Sequence, residues 1–497
     1  MKFGDFTKLT AIKSPTAFRA HLDALDLSMP CDETLVSGAD SPLAEPLMVG
    51  GMRVGNRIAA QPMEGWDCST DGAPSEATFR RWAKFGQSGA KLIFGGEATA
   101  VRPDGRANPR QLVINRANKR AIAELRETAR KAHVEALGND DGWVAGLQLT
   151  HSGRFCKPHD NTRFEPFILY HHPVLDGKFG TADSHPVMED DEIRHLIEDY
   201  VAAARIAQDI GFDFVDLKHC HGYLGHEFLS AKTRPGIFGG SLQNRTRFLR
   251  EMVSGIRAAC PGLGIAVRLS ALDLIAFKPE LIPDGEDGPA RGIPVDFPAG
   301  SPYNFGFGTN PVNPTAFDMA EVLELFDIFA ELDIRLVNVT LGSPYYNPHL
   351  VRPAAYPPSD GYASPEDPLV GVMRHLEVVQ QIKQAQPGIS IVGSGYSYLQ
   401  EYLPYVAQAA LREGWVDFVG LGRMMLSYPE ILLDALEGRK QQRKKICRTF
   451  SDCTTAPRNG LVSGCYPLDP YYKKSEQFEK LAAVKKASDQ DQDGKGI

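Results

Sequence analysis

The chain has 497 residues, of which 43% are hydrophobic and 23% are charged. This composition is typical of globular proteins rather than of disordered or fibrous ones. The formal net charge is -8, and basic residues cluster only in a short run over residues 439–445, which argues against nucleic acid as a partner. The first residues lack the apolar stretch of a signal peptide, no apolar run reaches the length of a membrane span, and the eight cysteines are typical of reduced thiols. We therefore expect a cytoplasmic protein that binds neither nucleic acid nor a membrane.

Four segments are predicted from changes in composition along the chain. Residues 1–43 form an N-terminal extension with one helix over residues 14–27, and residues 44–440 form the main domain. Residues 441–482 form a C-terminal segment that contains three cysteines, and residues 483–497 form a polar tail. Because the tail has few apolar residues, we expect it to be disordered.

Eight short apolar runs predict buried parallel strands. They cover residues 58–63, 92–94, 144–149, 214–217, 265–269, 336–339, 389–392 and 418–421. Segments with helical periodicity lie between them, over residues 75–86, 120–137, 192–210, 245–259, 319–332, 372–384 and 399–412. This alternation predicts an α/β fold, and the count of eight favours a (β/α)8 TIM barrel. A doubly wound sheet is the alternative, but no strand is followed by Gly-x-Gly-x-x-Gly.

One connection is unusually long. Residues 271–317 follow the fifth predicted strand, are rich in Pro, Gly and Asp, and show no clear element. A connection of this length in a compact domain is usually a lid or a binding loop, and its position places it on the catalytic face of a barrel. We predict a lid-like insertion; a surface insertion without a role is the alternative.

Polar residues stand at the ends of the predicted strands, where a barrel carries its active groups. Gln148 lies in the third strand, Lys218 and His221 follow the fourth, and Arg268 lies in the fifth. A buried arginine needs an anionic or strongly accepting partner, so Arg268 either meets a ligand or pairs with a carboxylate. Lys218 has the same two options, because strand alternation points Lys218 and Asp216 to the same side.

Glycines at the ends of the last two strands indicate an anion site. Gly393 and Gly395 follow the seventh strand, and Gly422 and Arg423 follow the eighth. Glycines allow backbone N–H groups to approach an anion closely, and the phosphate site of many barrels lies at these two strands.

Several motifs occur in a fixed order along the chain from about residue 42 to residue 470. They are Asn56-Arg57-Ile58, Glu97-Ala98-Thr99-Ala100-Val101, Gln148-Leu149-Thr150-His151-Ser152-Gly153-Arg154, His221-Gly222-Tyr223-Leu224, Gly239-Gly240-Ser241-Leu242-Gln243-Asn244-Arg245 and Gly420-Leu421-Gly422-Arg423. In this order the chain resembles the old yellow enzyme family, in particular its branch of dienoyl-CoA reductases and trimethylamine dehydrogenase. The resemblance implies FMN as cofactor, NADH or NADPH as reductant and a small-molecule substrate.

The resemblance also implies roles for individual residues. Pro62, Met63 and Ala98 would line the flavin ring, Gln148 would bond its pyrimidine edge, and Arg268 would lie near its N1 atom. Gly393, Gly395, Gly422 and Arg423 would hold the phosphate. Lys218 and His221 would bind the substrate oxygen, and Tyr223 would give a proton to the substrate carbon.

The chain departs from the family pattern at two places. Most relatives have histidine at the position of Lys218; His219 and Cys220, beside it, are predicted to be structural and packing residues. In the iron–sulfur branch four cysteines follow the barrel, and here only Cys453 and Cys465 match, with Cys447 one residue out of register. A cluster needs four thiolates, so we expect no metal.

Three functions follow from these residues. The first is NAD(P)H-dependent reduction of an activated C=C bond by hydride transfer from flavin N5. The second is a dehydrogenase or demethylase that passes electrons to a protein acceptor, which the departure at Lys218 leaves open. The third is a phosphate-binding barrel lyase that uses Lys218 as a Schiff-base amine, in which Gln148 and Arg268 would have no role. The sequence leaves open whether the chain forms a homo-oligomer.

Overall fold

The computed structural model describes residues 6–281, 290–298, 300–359 and 361–494. Its strands are β1 Leu47–Val49, β2 Met52–Val54, β3 Ile58–Ala60, β4 Leu92–Ile93, β5 Ala98–Ala100, β6 Val144–Thr150, β7 Phe214–His219, β8 Gly264–Ser270, β9 Phe277–Pro279, β10 Gly292–Pro294, β11 Leu336–Thr340, β12 Ser390–Gly393 and β13 Phe418–Leu421.

The α-helices alternate with these strands. They are α1 Pro15–Ala24, α2 Glu76–Gln87, α3 Lys119–Leu137, α4 Leu175–Phe179, α5 Asp190–Asp209, α6 Leu224–Ser230, α7 Leu242–Arg245, α8 Arg247–Ala259, α9 Ala320–Glu331, α10 Pro348–Val351, α11 Pro368–Ala385, α12 Leu403–Arg412, α13 Arg423–Ser427, α14 Ile431–Leu436, α15 Asp452–Arg458, α16 Pro470–Lys473 and α17 Glu476–Gly494. No helix among the described residues is long and apolar enough to cross a membrane.

Eight parallel strands close into a barrel. The order around the ring is β3, β4, β6, β7, β8, β11, β12 and β13, and β13 pairs with β3 to complete it. The short strand β5 continues the position of β4, because it pairs with the later part of β6. All eight predicted strands are therefore confirmed, and so is the (β/α)8 fold.

The lower and upper parts of the barrel interior differ in polarity. Its lower part is apolar: Phe94 and Phe214 meet edge to face at 5.6 Å between ring centres, and the β1–β2 hairpin packs against the same cluster through Val49 and Val54. Its upper part, at the carboxyl ends of the strands, holds buried polar side chains such as Gln148 and Arg268. Since burying polar groups has a cost unless they are bonded, the upper half is the place to look for a ligand.

Helix positions agree with the apolar periodicity. In α5 a stripe that includes Ile193, Leu196 and Tyr200 is buried against the barrel, as an amphipathic helix should be. The helix predicted over residues 245–259 is divided at Thr246 into α7 and α8, and the one predicted over residues 399–412 begins with a 3-10 segment, Tyr396–Tyr402.

The long insertion and the tail contain more structure than the sequence predicts. Strands β9 and β10 form an antiparallel hairpin within residues 271–317, although residues 282–289 and 299 of that segment lie outside the described residues. Disorder is expected for the polar tail, and the structure describes the tail as helical up to Gly494 as part of α17, whereas residues 495–497 lie outside the described residues. The helix starts earlier, where Leu481 is buried against Tyr466 and Tyr472.

Candidate functional site

A cavity of about 210 Å³ opens at the carboxyl ends of the barrel strands. It brings together nine of the twelve residues predicted for the site. They are Pro62, Met63, Gln148, Lys218, His221, Arg268, Gly395, Gly422 and Arg423. Tyr223, Ala98 and Gly393 are not in its lining. The active face expected for a barrel is thus where the polar groups converge.

The cavity floor is a row of polar groups on adjacent strands. Gln148 and Asp216 are cross-strand neighbours, and the Gln148 amide nitrogen lies 2.5 Å from Asp216 Oδ2. Arg268 Nη1 donates to the carbonyl oxygen of Pro62 at 3.2 Å, while its Nε has no partner among the described residues. Burial raises the pKa of Asp216 to about 7, although Gln148 and Arg268 oppose the shift.

Lys218 pairs with a carboxylate from another strand end. Its Nζ lies 2.5 Å from Oε1 of Glu64, which follows β3, and the Lys218 side chain is only 2% exposed. Asp216, the partner that strand alternation suggested, instead binds Gln148. Lys218 therefore pairs with a carboxylate, and this carboxylate is Glu64; its contact with a substrate oxygen stays a prediction.

Tyr223 shares that carboxylate. Its hydroxyl donates to Oε2 of Glu64 at 2.9 Å and lies 2.8 Å from the hydroxyl of Tyr345. The Lys218 nitrogen is 3.7 Å from the centre of the Tyr223 ring, within the range of a cation–π contact. Burial, and then the Glu64 carboxylate, raise the pKa of Tyr223 well above its ordinary value.

His221 lies at the cavity wall in a constrained backbone. It adopts the left-handed region with φ 67°, its N–H donates to Ser270 Oγ at 3.0 Å, and its carbonyl accepts from Ser343 Oγ at 2.8 Å. Its Nε2 is buried without a partner among the described residues. Burial, followed by the charges of Arg268 and Lys218, lowers the pKa of His221 well below its ordinary value, so the ring is neutral at pH 7.

The two preceding residues, His219 and Cys220, are not in the lining of the cavity. His219 Nδ1 lies 3.1 Å from the carbonyl of Leu217, and burial lowers its pKa to about 4. Cys220 is fully buried, and burial raises the pKa of its thiol to about 12. Both positions agree with the structural and packing roles that we expected.

The other end of the cavity combines glycines with an arginine. Gly395 has φ 92°, and a Cβ there would lie 3.1 Å from the His375 ring. Arg423 Nη2 donates to the carbonyl of Pro353 at 2.8 Å, and its buried Nη1 has no partner among the described residues. Gly422 also lines the cavity. Glycine backbone and the Arg423 guanidinium therefore lie together at this end.

Two predicted residues lie behind the lining. The Gly393 carbonyl accepts from the Gln61 amide at 3.2 Å, and Gln61 also donates to Ser394 Oγ at 2.6 Å, so this strand end supports the cavity from below. Ala98 is fully buried in β5, where its carbonyl accepts from Gln111. For both residues a direct contact with a ligand stays a prediction.

Several residues of the site carried no role in the sequence. Glu64 follows β3, the first barrel strand, and the rule that polar residues at strand ends are functional could have singled it out. Arg352 and Thr454 also line the cavity, and Arg352 donates to Thr454 Oγ1. Thr454 belongs to the C-terminal segment, and no local pattern indicates that this segment returns to the barrel mouth.

The cysteines of the C-terminal segment lie beside this end of the cavity. Cys453 lines it, and burial raises the pKa values of Cys447 and Cys453. Within the described ranges, the one cluster of three close metal-ligating side chains is Asp67, Cys68 and Glu97. Arg81 lies 2.6 Å from Asp67 Oδ2 and 2.8 Å from Glu97 Oε2, so an ion-paired guanidinium occupies that cluster.

The cavity fits a flat heteroaromatic group with an anionic end. Buried polar atoms of Arg268 and Arg423 lack partners at its two ends, and side-chain-free backbone stands at Gly395 and Gly422. Unpaired buried donors of this kind are costly unless a ligand accepts from them. FMN has an acceptor-rich pyrimidine edge and a phosphate, and it matches both ends.

Comparisons with known proteins agree with this chemistry. The model of the NADH:flavin oxidoreductase / NADH oxidase family matches residues 42–282. An NADPH dehydrogenase of a Geobacillus species is 31% identical over 250 residues, which cover 48% of this chain and 66% of that protein. An NADPH dehydrogenase of Halalkalibacterium halodurans is 33% identical over 231 residues, covering 46% and 62%. The chain thus spans less than two thirds of the length of these relatives.

Solved structures share the fold. A 2-naphthoyl-CoA reductase in complex with 2-naphthoyl-CoA superimposes with a TM-score of 0.62 at 18% identity, covering 87% of this chain and 57% of that one. Histamine dehydrogenase from Rhizobium sp. 4-9 gives a TM-score of 0.60 at 21% identity, covering 86% and 52%. At these identities the likeness concerns the fold alone. Residues 42–282 are thus similar to the NADH:flavin oxidoreductase / NADH oxidase family.

Proposed function

We propose that this protein is an FMN-dependent oxidoreductase that uses NADPH or NADH to reduce an activated C=C bond. The observation that carries the proposal is the Glu64 carboxylate, which lines the cavity together with Lys218 and His221 and bonds both Lys218 Nζ and the Tyr223 hydroxyl behind the lining. The floor and far end of the same cavity carry guanidinium nitrogens that have no partner in the part of the chain that the structure describes. Bound FMN would supply the two-electron chemistry.

The residues of this chain would hold the cofactor at two ends. Gln148 and Arg268 meet at the floor, and the fixed positive charge of Arg268 would stabilise negative charge on a reduced pyrimidine ring. Arg423, with the backbone at Gly395 and Gly422, would hold the phosphate. The Gln148 amide nitrogen donates to Asp216 at 2.5 Å. The amide oxygen of Gln148 could therefore accept a hydrogen bond from an N–H group of the ligand.

The substrate would lie against the opposite wall. Neutral His221 can donate one N–H to a carbonyl oxygen, and Lys218 has further N–H donors besides the one bonded to Glu64. Donors placed in advance stabilise negative charge as it develops on that oxygen. The Tyr223 hydroxyl would give a proton to the substrate carbon as a general acid.

A second candidate is oxidation of a substrate with transfer of electrons to a protein acceptor. The observation that favours it is the Glu64 carboxylate, which accepts the Tyr223 hydroxyl proton and could therefore receive a substrate proton through Tyr223. The lyase with Lys218 as a Schiff-base amine is disfavoured, because an ammonium held 2.5 Å from a carboxylate is not a free nucleophile.

The test is to purify the protein, measure bound FMN after denaturation, and mix the protein anaerobically with NADPH and with NADH. We expect FMN close to one per chain, rapid loss of the flavin absorbance with at least one nicotinamide, and reoxidation by 2-cyclohexenone. A protein that neither contains FMN nor takes it up would refute both candidates. Bound FMN that neither nicotinamide reduces would favour the second candidate over the first.

A further inference from the structure

We propose that Tyr345 resupplies the proton that Tyr223 gives to the substrate, and that it draws this proton from a second, water-accessible cavity. The proposal rests on the proposed function, in which Tyr223 is the general acid. It adds a proton path to that function and assigns a role to a residue in the loop after β11.

The direction of the hydrogen-bond chain follows from the chemistry of its members. A tyrosine hydroxyl carries one proton, and an ionised carboxylate can only accept. Lys218 bonds Glu64 Oε1, and the Tyr223 hydroxyl lies 2.9 Å from Oε2. The Tyr223 hydroxyl therefore donates its hydrogen bond to Glu64. In the 2.8 Å contact between the two tyrosine hydroxyls, Tyr345 is then the donor and Tyr223 the acceptor.

The second cavity lies on the far side of Tyr345. It has a volume of about 300 Å³, and its lining contains Tyr345 but neither Tyr223 nor Glu64. Pro344, the residue before Tyr345, lines both cavities. Lys178 and Pro279 in the wall of the second cavity are exposed, so water reaches it. Tyr223 itself is only 2% exposed, whereas Tyr345, whose hydroxyl lies 2.8 Å from that of Tyr223, lines this cavity.

Tyr345 is held in place from two sides. Its ring stacks on that of Phe155 with centres 4.1 Å apart and planes 3° from parallel. Its backbone N–H donates to Ser343 Oγ at 3.2 Å, and the Ser343 hydroxyl donates to the His221 carbonyl at 2.8 Å. The loop after β11 is thereby tied to the residue two positions before Tyr223, so the distance between the two hydroxyls is set by both loops.

The protons and electrons of the reaction balance with NADPH or NADH as the reductant. The nicotinamide would supply two electrons and one hydrogen, with bound FMN as the carrier. The C=C π bond of the substrate would be replaced by two C–H bonds, one of which would form with the proton of the Tyr223 hydroxyl. Tyr223 is left as a phenolate and takes the Tyr345 proton, as one O–H bond breaks and another forms. Tyr345 then takes a proton from water in the second cavity, so one solvent proton is consumed per turnover.

The test uses the FMN-loaded protein and measures its two half-reactions separately by stopped flow. Tyr345→Phe keeps the ring that stacks on Phe155 and removes only the hydroxyl. We expect reduction by the nicotinamide to be unchanged, and reoxidation by 2-cyclohexenone to slow by ~10-fold or more, with a larger solvent deuterium isotope effect, from the second turnover onward, when Tyr223 must have regained its proton. FMN affinity, followed by quenching of its fluorescence, should not change.

Tyr346→Phe is the matched control. Tyr346 is the next residue and is also buried, but its hydroxyl donates to Asp273 Oδ1 at 2.5 Å rather than to Tyr223. We expect its removal to leave both half-reactions and the isotope effect unchanged. In a Tyr223→Phe background the Tyr345 change should cause no further loss, because both residues act on one proton.

Three results would overturn the relay. These are equal effects of the Tyr345 and Tyr346 variants, additive losses in the Tyr223/Tyr345 double variant, and an unchanged isotope effect. Failure of the proposed function looks different, because the wild-type protein would then lack FMN, resist reduction by nicotinamide or fail to reduce 2-cyclohexenone.

Discussion

Lys218 Nζ lies 2.5 Å from Oε1 of Glu64, although the two residues are 154 positions apart in the chain. The Lys218 side chain is 2% exposed and that of Glu64 is 17% exposed, so each charge depends on the other for compensation. The pair gives the substrate wall of the cavity a cation and an anion in contact rather than a lone cation.

Removing the Glu64 charge should convert that wall into an anion site. In Glu64→Gln the Lys218 ammonium loses its ionic partner, and we expect benzoate to bind at least ~10-fold more tightly, equivalent to about 1.4 kcal/mol. The measurement is calorimetric titration of the FMN-loaded protein. Lys218→Met in the same background should abolish the gain. If Glu64→Gln binds benzoate no better than wild type, Glu64 does not neutralise Lys218 toward the cavity.

Loss of the Tyr223 hydroxyl should separate the two half-reactions. In Tyr223→Phe we expect alkene reduction to slow by ~100-fold, because a positioned general acid contributes at least that much. Flavin reduction by the nicotinamide needs no proton from Tyr223 and should stay nearly intact. Single-turnover absorbance measurements of each step provide the check. An equal loss in both steps would remove Tyr223 from the role of proton donor.

The buried carboxyl of Asp216 should make stability fall with rising pH. Its pKa is about 7 in the folded protein against 3.8 for the unperturbed group, so between these values the folded state binds more protons than the unfolded state. The free energy of unfolding of the FMN-free protein should then drop by up to about 4 kcal/mol from pH 4 to pH 7.

Asp216→Asn should remove this part of the pH dependence, as followed by urea unfolding at several pH values. Asp183→Asn, at an exposed position, is the matched control and should leave the slope as it is in wild type. The same slope in wild type and in Asp216→Asn would contradict the shifted pKa.

The cation at the glycine-rich end should matter for FMN rather than for folding. Arg423→Gln removes a guanidinium whose buried Nη1 has no partner among the described residues. We expect FMN to bind ~10-fold to ~100-fold more weakly, because a charge-assisted hydrogen bond contributes about 1.5–3 kcal/mol. The midpoint of thermal unfolding of the FMN-free protein should hardly move.

Arg374→Gln is the control for that change, since Arg374 bonds Glu366 at 2.7 Å and lies outside this cavity. FMN affinity in that variant should match wild type. A phosphate site elsewhere would be indicated if Arg423→Gln kept full affinity, measured by fluorescence titration.

The fold and part of the cavity lining could be predicted because they depend on local patterns. Buried strands need continuous apolar runs, and all eight runs form strands of the barrel. The position of a residue at a strand end then follows from the fold, so Gln148, Lys218 and Arg268 could be assigned to one face before any coordinates were known. The helical tail was not predicted, because Leu481 is buried only where α17 meets Tyr466 and Tyr472.

The partners within the site are decided by tertiary structure alone. Alternation along β7 places Asp216 and Lys218 on the same side, and the sequence by itself determined that much. The barrel register then sets Asp216 beside Gln148 and Lys218 one layer higher, beside Arg268. At that height the loop after β3 brings in Glu64. Contacts between strand ends far apart in the chain depend on register and loop path, and no local pattern encodes them.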